Sequence, residues 1–86
     1  MTGHPLKARI HIGLKPGVLD PQGKAVADTL GRMGFAEVAG ARIGKIIELD
    51  LADTSREAAE ARVKDMCEQL LANTVIEHYA IELIGG

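Results

Sequence analysis

Few side chains in this sequence are spaced for catalysis, and the single cysteine is the first candidate. Cys67 has Val63, Leu70 and Leu71 as its neighbours at helical spacing. A reactive thiol needs an electropositive, partly exposed setting. The apolar helix face, which includes Leu70, therefore predicts an inert core cysteine.

The histidines and glutamates also lack the spacing of a catalytic or metal site. His11 and His78 fall on the polar faces of two predicted strands, without an i,i+4 or His-x-His pattern. Glu77 and Glu82 differ in strand parity, so they face opposite sides of the sheet and do not form an acid–base pair. No phosphate-binding glycine motif is present. We predict no catalytic, cofactor-binding or metal-binding residues, and we expect the histidines at the surface or an interface.

The composition indicates one small folded domain. The chain has 86 residues, 47% of them hydrophobic, and a net charge of −2 from 10 basic and 12 acidic residues. We expect a flexible tail over residues 1–6 and a single domain over residues 7–86. Nucleic-acid binding is not expected, because basic tracts and stacking aromatics are missing. No apolar run suggests a membrane helix, and a cytoplasmic location fits these features.

Hydrophobic periodicity predicts the elements that position these side chains. They are a strand over Ala8–Lys15, a helix over Pro21–Met33 capped by Asp20, an extended run over Val38–Leu51, a helix from a Thr54 cap to about Ala72, and a strand over Val75–Ile84. The first helix has an apolar face of Val26, Ala27, Leu30 and Met33. Two amphipathic helices need a sheet face to cover. The order β-α-β(β)-α-β therefore predicts a two-layer, ferredoxin-like α+β sandwich, with both helices on one face of an antiparallel sheet.

The extended run over Val38–Leu51 is too long for a simple covered strand. It would span roughly 46 Å, whereas the second predicted helix spans roughly 28 Å. The run either folds into a hairpin near Gly44 or projects and pairs with another subunit. Ile46, Ile76 and Ile84 also lie on the sheet face away from the helices, so we expect oligomerisation.

Five short segments, spread over about residues 7–84, form a distinctive set. They are LKPGVLDPQG at 14–23, RIGK at 42–45, Glu48-Leu49, MCEQLLAN at 66–73 and VIEHY at 75–79. Together they resemble the PurS family, the small subunit of phosphoribosylformylglycinamidine synthase. Thr74 departs from the proline that is usual in the family, which leaves the chain freer to start the last strand.

The resemblance implies a non-catalytic role in a ligase complex of purine biosynthesis. The complex converts formylglycinamide ribonucleotide, glutamine and ATP into formylglycinamidine ribonucleotide. A glutaminase subunit releases ammonia, and a large synthetase subunit uses ATP and Mg²⁺. The small subunit is expected to bridge the two, to assist ammonia transfer, to form homodimers or tetramers, and to hold no cofactor itself.

The motifs and the exposure pattern together predict a subunit interface in three stretches of the chain. Its candidate residues are Lys15, Asp20, Arg42, Gly44, Lys45, Glu48, Asn73, Ile76, Glu77 and Tyr79. The basic residues on two strands are either solvated sheet surface or a docking face for an acidic or phosphorylated partner; they are Arg9, Lys15, Arg42 and Lys45. The alternative function is a stand-alone ferredoxin-like domain that senses a small ligand.

Overall fold

The computed structural model describes residues 4–85, and a three-stranded antiparallel sheet lies at its centre. In chain order the elements are β1 (His4–Leu14), α1 (Pro21–Arg32), β2 (Lys45–Thr54), α2 (Arg56–Met66), a π-helical segment (Cys67–Leu71) and β3 (Glu77–Gly85). The strand order is β2-β1-β3, so β1 is central. The predicted α+β class with an antiparallel sheet is confirmed. Within residues 4–85, neither helix is both long and apolar enough to span a bilayer.

Alternation along β1 builds the core. Its even-numbered residues from Leu6 to Ile12 are buried, and Ile10 is fully enclosed between Ile47 of β2 and Ile81 of β3. The covering layer contributes Ala59, Val63, Cys67 and Ala72. Burying an aliphatic side chain completely contributes about 1.5–3 kcal/mol. This single apolar layer therefore holds α2 to the sheet.

The connection between β1 and β2 projects away from the sheet, and we call residues 15–44 the arm. Antiparallel neighbours need no crossover, so nothing in the strand pairing draws α1 across the sheet. Among the described residues, the core and the apolar side chains packed on it include none from α1. The radius of gyration is 17.0 Å, against about 12 Å for a compact chain of this length. We predicted that both helices cover the sheet, but only α2 does so.

Several element ends differ from the sequence-based prediction. β1 begins at His4, so residues 4–6 of the predicted tail are strand, and residues 1–3 lie outside the described part of the chain. The N-cap of α2 is Ser55 instead of the predicted Thr54, and the Ser55 hydroxyl accepts from the N–H of Ala58 at 3.2 Å. β2 begins only at Lys45, so the long run is neither one continuous strand nor a hairpin at Gly44. Asp20 caps α1 as predicted.

The π-helical segment changes which leucine faces the core. The N–H of Ala72 donates to the carbonyl of Cys67 at 3.1 Å, five residues back. A π-turn holds more residues than an α-turn, so it rotates the following side chains around the helix axis. Leu70 is consequently 82% exposed, whereas Leu71 packs against the core. The prediction that Leu70 lies on the buried face is wrong for this reason.

Candidate functional site

The candidate site is the junction where the arm leaves and rejoins the sheet. An open cavity of about 310 Å³ lies there, with Asp20, Gly44, Lys45 and Glu77 among its lining residues. The loop after β1 is tied to the start of β3, because the N–H of Lys15 donates to the carbonyl of Ile76 at 2.8 Å. The junction thus brings together seven of the ten predicted interface residues: Lys15, Asp20, Arg42, Gly44, Lys45, Ile76 and Glu77.

Asp20 is buried at this junction, with 8% of its surface exposed. One carboxylate oxygen accepts from the N–H of Gly23 at 2.8 Å, and the other accepts from the N–H of Ile43 at 2.8 Å. The pKa of Asp20 is held below its ordinary value, mainly by the hydrogen bond from Ile43 and then by the bond from Gly23 and the nearby charge of Arg42. The carboxylate therefore stays ionised and joins the start of α1 to the returning chain.

Arg42, on the returning chain, bonds back to carbonyls at the end of β1 and in the loop after it. One terminal nitrogen donates to the carbonyl of Val18 at 3.1 Å, and the other donates to the carbonyls of Lys15 at 3.1 Å and Leu14 at 3.3 Å. A planar guanidinium suits such forked donation. Both terminal nitrogens are thus used within the chain, although the side chain lies at the surface.

Two glycines let the backbones of the junction approach closely. A Cβ built on Gly23 would lie 2.4 Å from the carbonyl oxygen of Ala41, and one built on Gly44 would lie 2.5 Å from that of Ile12. Neither distance is compatible with a side chain. Gly44 is therefore a contact point within the chain, where the sequence suggested only a bend.

Asn73 and Glu77 organise the turn that leads into β3. The N–H of Asn73 donates to the Glu77 carboxylate at 2.7 Å, and its side-chain oxygen accepts from the N–H of Val75 at 3.2 Å. The carbonyl of Asn73 also accepts from the N–H groups of Ile76 and Glu77. The contact between Asn73 and Glu77 is therefore local to one turn of the chain.

Tyr79 lies away from the junction, on the helix-covered face of the sheet. Its hydroxyl donates to the Glu68 carboxylate at 2.6 Å. This bond, together with partial desolvation, raises the pKa of Tyr79 to about 12. The sequence contained no periodic signal for this pair, because it joins the π-helical segment to a strand.

Glu48 lies on the opposite, open face of the sheet. It pairs with Arg9 at 2.8 Å, and that hydrogen bond, with the charge of Lys7, lowers the pKa of Glu48. Arg9 and His11 also approach Glu82 at 3.7 and 3.3 Å. β1 therefore presents basic groups between acidic groups of both edge strands, an arrangement that only the strand register reveals.

The basic side chains do not form one docking face. Arg9 is paired with Glu48, and the Arg42 guanidinium is bonded to backbone carbonyls. Lys15 and Lys45 are exposed, and no described acidic side chain forms an ion pair with either. Of the four basic residues considered for a docking face, only Lys15 and Lys45, beside the junction, therefore remain candidates.

The exposed apolar side chains lie mainly on the arm. Sequence reasoning expected the first helix to bury its apolar face, but two of the four residues of that face are exposed, Val26 by 42% and Met33 by 65%, and Ala27 and Leu30 are half-buried. Leu19 before the helix and Phe35 after it are exposed by 74% and 46%. Ile46, on the open sheet face, is exposed by 58%, and Ile76, which lies in the turn before β3 instead of on the predicted sheet face, is exposed by 39%. The main feature that sequence reasoning missed is thus the projecting arm with its exposed apolar side chains.

The described residues contain no group of three or more His, Cys, Asp or Glu side chains placed to hold a metal ion. Cys67 is fully buried, and desolvation, with the neighbouring Glu68 charge, raises the pKa of its thiol. A raised thiol pKa disfavours the thiolate nucleophile.

Comparison with known proteins gives a consistent result. A model of the PurS family, described as phosphoribosylformylglycinamidine (FGAM) synthase, matches residues 7–85. The synthase subunit PurS of Bacillus subtilis is 48% identical over 77 residues, covering 90% of each chain.

Solved structures agree with this sequence match. A crystal structure of Bacillus subtilis PurS superposes with a TM-score of 0.82 at 46% identity, covering 93% of this chain and 99% of that chain. A chain in a structure of PurLQS from Thermotoga maritima gives a TM-score of 0.85 at 31% identity, covering 94% and 99%. The protein therefore belongs to the PurS family, whose members are subunits of phosphoribosylformylglycinamidine synthase.

Proposed function

We propose that this chain is the small, non-catalytic subunit of a phosphoribosylformylglycinamidine synthase complex, bridging its synthetase and glutaminase subunits. The observation that carries the proposal is the arm, which exposes Leu19, Met33 and Phe35 and adds no side chain to the described sheet core. Exposed apolar surface of this kind marks protein–protein contact sites.

The polar groups of the junction support a structural role. Asp20, Arg42 and Glu77 each bond to backbone groups of their own chain. A nucleophile for glutamine hydrolysis would need an adjacent, available base, and these side chains are already occupied. Catalysis is accordingly assigned to the partners, with ATP and Mg²⁺ used by the synthetase subunit.

The similar chain in the PurLQS structure supports assembly with two other kinds of subunit. We extend the proposal to a homodimeric or tetrameric state in the cytoplasm and to assistance in ammonia transfer. Ammonia that escapes into water is protonated and loses its nucleophilicity. An ordered contact between subunits would limit that loss. The alternative of a stand-alone ligand sensor is not favoured by the family match.

The test is co-purification with the synthetase and glutaminase subunits in the presence of glutamine and ADP, followed by activity assays. The chain is expected to be required for turnover supported by glutamine and dispensable for turnover supported by added ammonium, because free ammonia bypasses the bridge. Full glutamine-dependent synthesis without the chain would refute the bridging role. Glutamine or ATP turnover by the purified chain alone would refute its non-catalytic character.

A matched pair of variants tests whether the arm carries the contact. Val26→Glu places a charge on the apolar face of α1, whereas Ala25→Glu adds the same charge at the neighbouring exposed position. We expect Val26→Glu to weaken complex formation at least tenfold and Ala25→Glu to change it less than twofold. Equal effects of the two variants would exclude the apolar face of α1 as the contact surface.

A further inference from the structure

We infer that Asp20 and Arg42 are positioning residues, which fix the direction of the arm relative to the sheet and so control assembly without touching a partner. The assembly part of this inference rests on the proposed function. The orientation of the arm is a property of the isolated chain. The sequence suggested that both residues contact a partner directly, whereas here they act within their own chain.

The arm needs such a device because it has little other support. It leaves β1 after Leu14 and rejoins the sheet at Lys45, and its helix adds no side chain to the described core. A segment with few buried apolar contacts opens locally at low free-energy cost. A binding surface on a swinging arm would also lose affinity, since ordering it on binding is unfavourable.

The two side chains connect the outgoing and returning halves of the arm in both directions. Asp20, on the outgoing half, accepts from the N–H of Ile43 on the returning half. Arg42, on the returning half, donates to carbonyls of Lys15 and Val18 on the outgoing half. Such reciprocal bonds to backbone groups fix relative position, because neither end can rotate while both are formed.

The backbone contacts at the same place leave little room for movement. Gly23 lies against the carbonyl of Ala41, and Gly44 lies against the carbonyl of Ile12. The charge-assisted bonds of Asp20 and Arg42 thus act across a junction that is already closely packed. Arg42 also donates to the carbonyl of Leu14, the last residue of β1, at 3.3 Å, so these bonds hold the arm to the end of the sheet.

The bonds within the chain occupy Asp20 fully and Arg42 in large part. Asp20 is 8% exposed, and both of its oxygens accept hydrogen bonds within the chain. Arg42 is exposed, and three of its five N–H donors are bonded to carbonyls of its own chain. A partner that bound the Asp20 carboxylate would have to break the junction first. We therefore expect mutation of either residue to affect assembly through the arm.

The test combines amide hydrogen exchange of the isolated chain with assembly measurements, using matched substitutions. Asp20→Asn and Arg42→Lys alter the junction, whereas Asp28→Asn and Arg32→Lys make the same changes at exposed arm positions bonded only within α1. We expect the junction variants to speed exchange of the α1 amides at least tenfold. Exchange in β1 should change less than twofold in every variant.

Assembly with the synthetase and glutaminase subunits then separates positioning from contact. The junction variants are expected to bind at least tenfold more weakly, and the arm controls to bind like the unmodified chain. Weaker binding with unchanged arm exchange would show direct contact and overturn the inference. Faster arm exchange with unchanged binding would overturn it as well. Failure of the unmodified chain to assemble would refute the proposed function instead, whereas the exchange result would still decide whether the junction orders the arm.

Discussion

Leu70→Ala measures how far the π-helical segment rotates the end of the α2 layer. The substitution removes three carbon atoms, which would contribute about 2.4 kcal/mol if fully buried, at about 0.8 kcal/mol each. Leu70 is 82% exposed, so about a fifth of that value, or roughly 0.4 kcal/mol, is expected to be lost. An α-helical continuation would instead bury Leu70 beside Cys67, and its truncation would then cost about 2–5 kcal/mol.

The assay is urea denaturation of the isolated chain followed by far-ultraviolet circular dichroism, with the free energy of unfolding extrapolated to water. Two controls calibrate the scale. Val63→Ala removes two carbon atoms from a fully buried site and is expected to cost about 2 kcal/mol. Leu71→Ala, at a partly buried side chain packed on the core, should cost more than Leu70→Ala.

The reasoning about the π-helical segment is refuted if Leu70→Ala costs as much as Val63→Ala at every protein concentration. It is also refuted if Leu71→Ala proves the milder of the two leucine variants. A loss of stability at Leu70 that grows with protein concentration would place this side chain in a contact between copies of the chain.

Three further outcomes are expected. Glu68→Gln should lower the pKa of Tyr79, the single tyrosine, from about 12 toward its ordinary value of 10.0 in an ultraviolet phenolate titration. Because that pKa is raised in the folded chain, the stability from this bond should be complete below pH 10.0 and lost as the pH rises through about 12. Gly44→Ala should destabilise the chain by about 1–3 kcal/mol through its backbone contact, whereas Gly31→Ala, with open space around it, should stabilise α1 by about 0.5–1 kcal/mol in thermal melts. Arg9→Ala should lower the urea midpoint only slightly, and the difference should shrink at high salt, because its ion pairs are exposed.

Features that depend on neighbouring residues could be predicted from the sequence. The alternation of Ile10 and Ile12 identified the buried face of β1, and both are buried. Asp20 before a proline identified the start of α1, and Asp20 is its N-cap. The five family-like segments identified the PurS family, which the family match over residues 7–85 confirms.

The candidate site could be predicted in its location but not in its bonding. Motif positions brought Lys15, Arg42 and Ile76 to attention, and the fold places them at one junction. Which of these groups bond within the chain depends on distances across the fold, and no periodicity encodes them. Whether Lys15, Lys45 and the other candidates touch a partner stays a prediction.

The sequence by itself determined the order of the main helices and strands and the family, because these depend on residue spacing within one segment or on motif identity. Only the tertiary structure decided where α1 lies. Its position follows from the antiparallel pairing of β1 with β2, which joins residues about 40 positions apart, such as Arg9 and Glu48. That pairing sends the connection out past the end of the sheet, so the apolar face of α1 is only partly covered by its own chain.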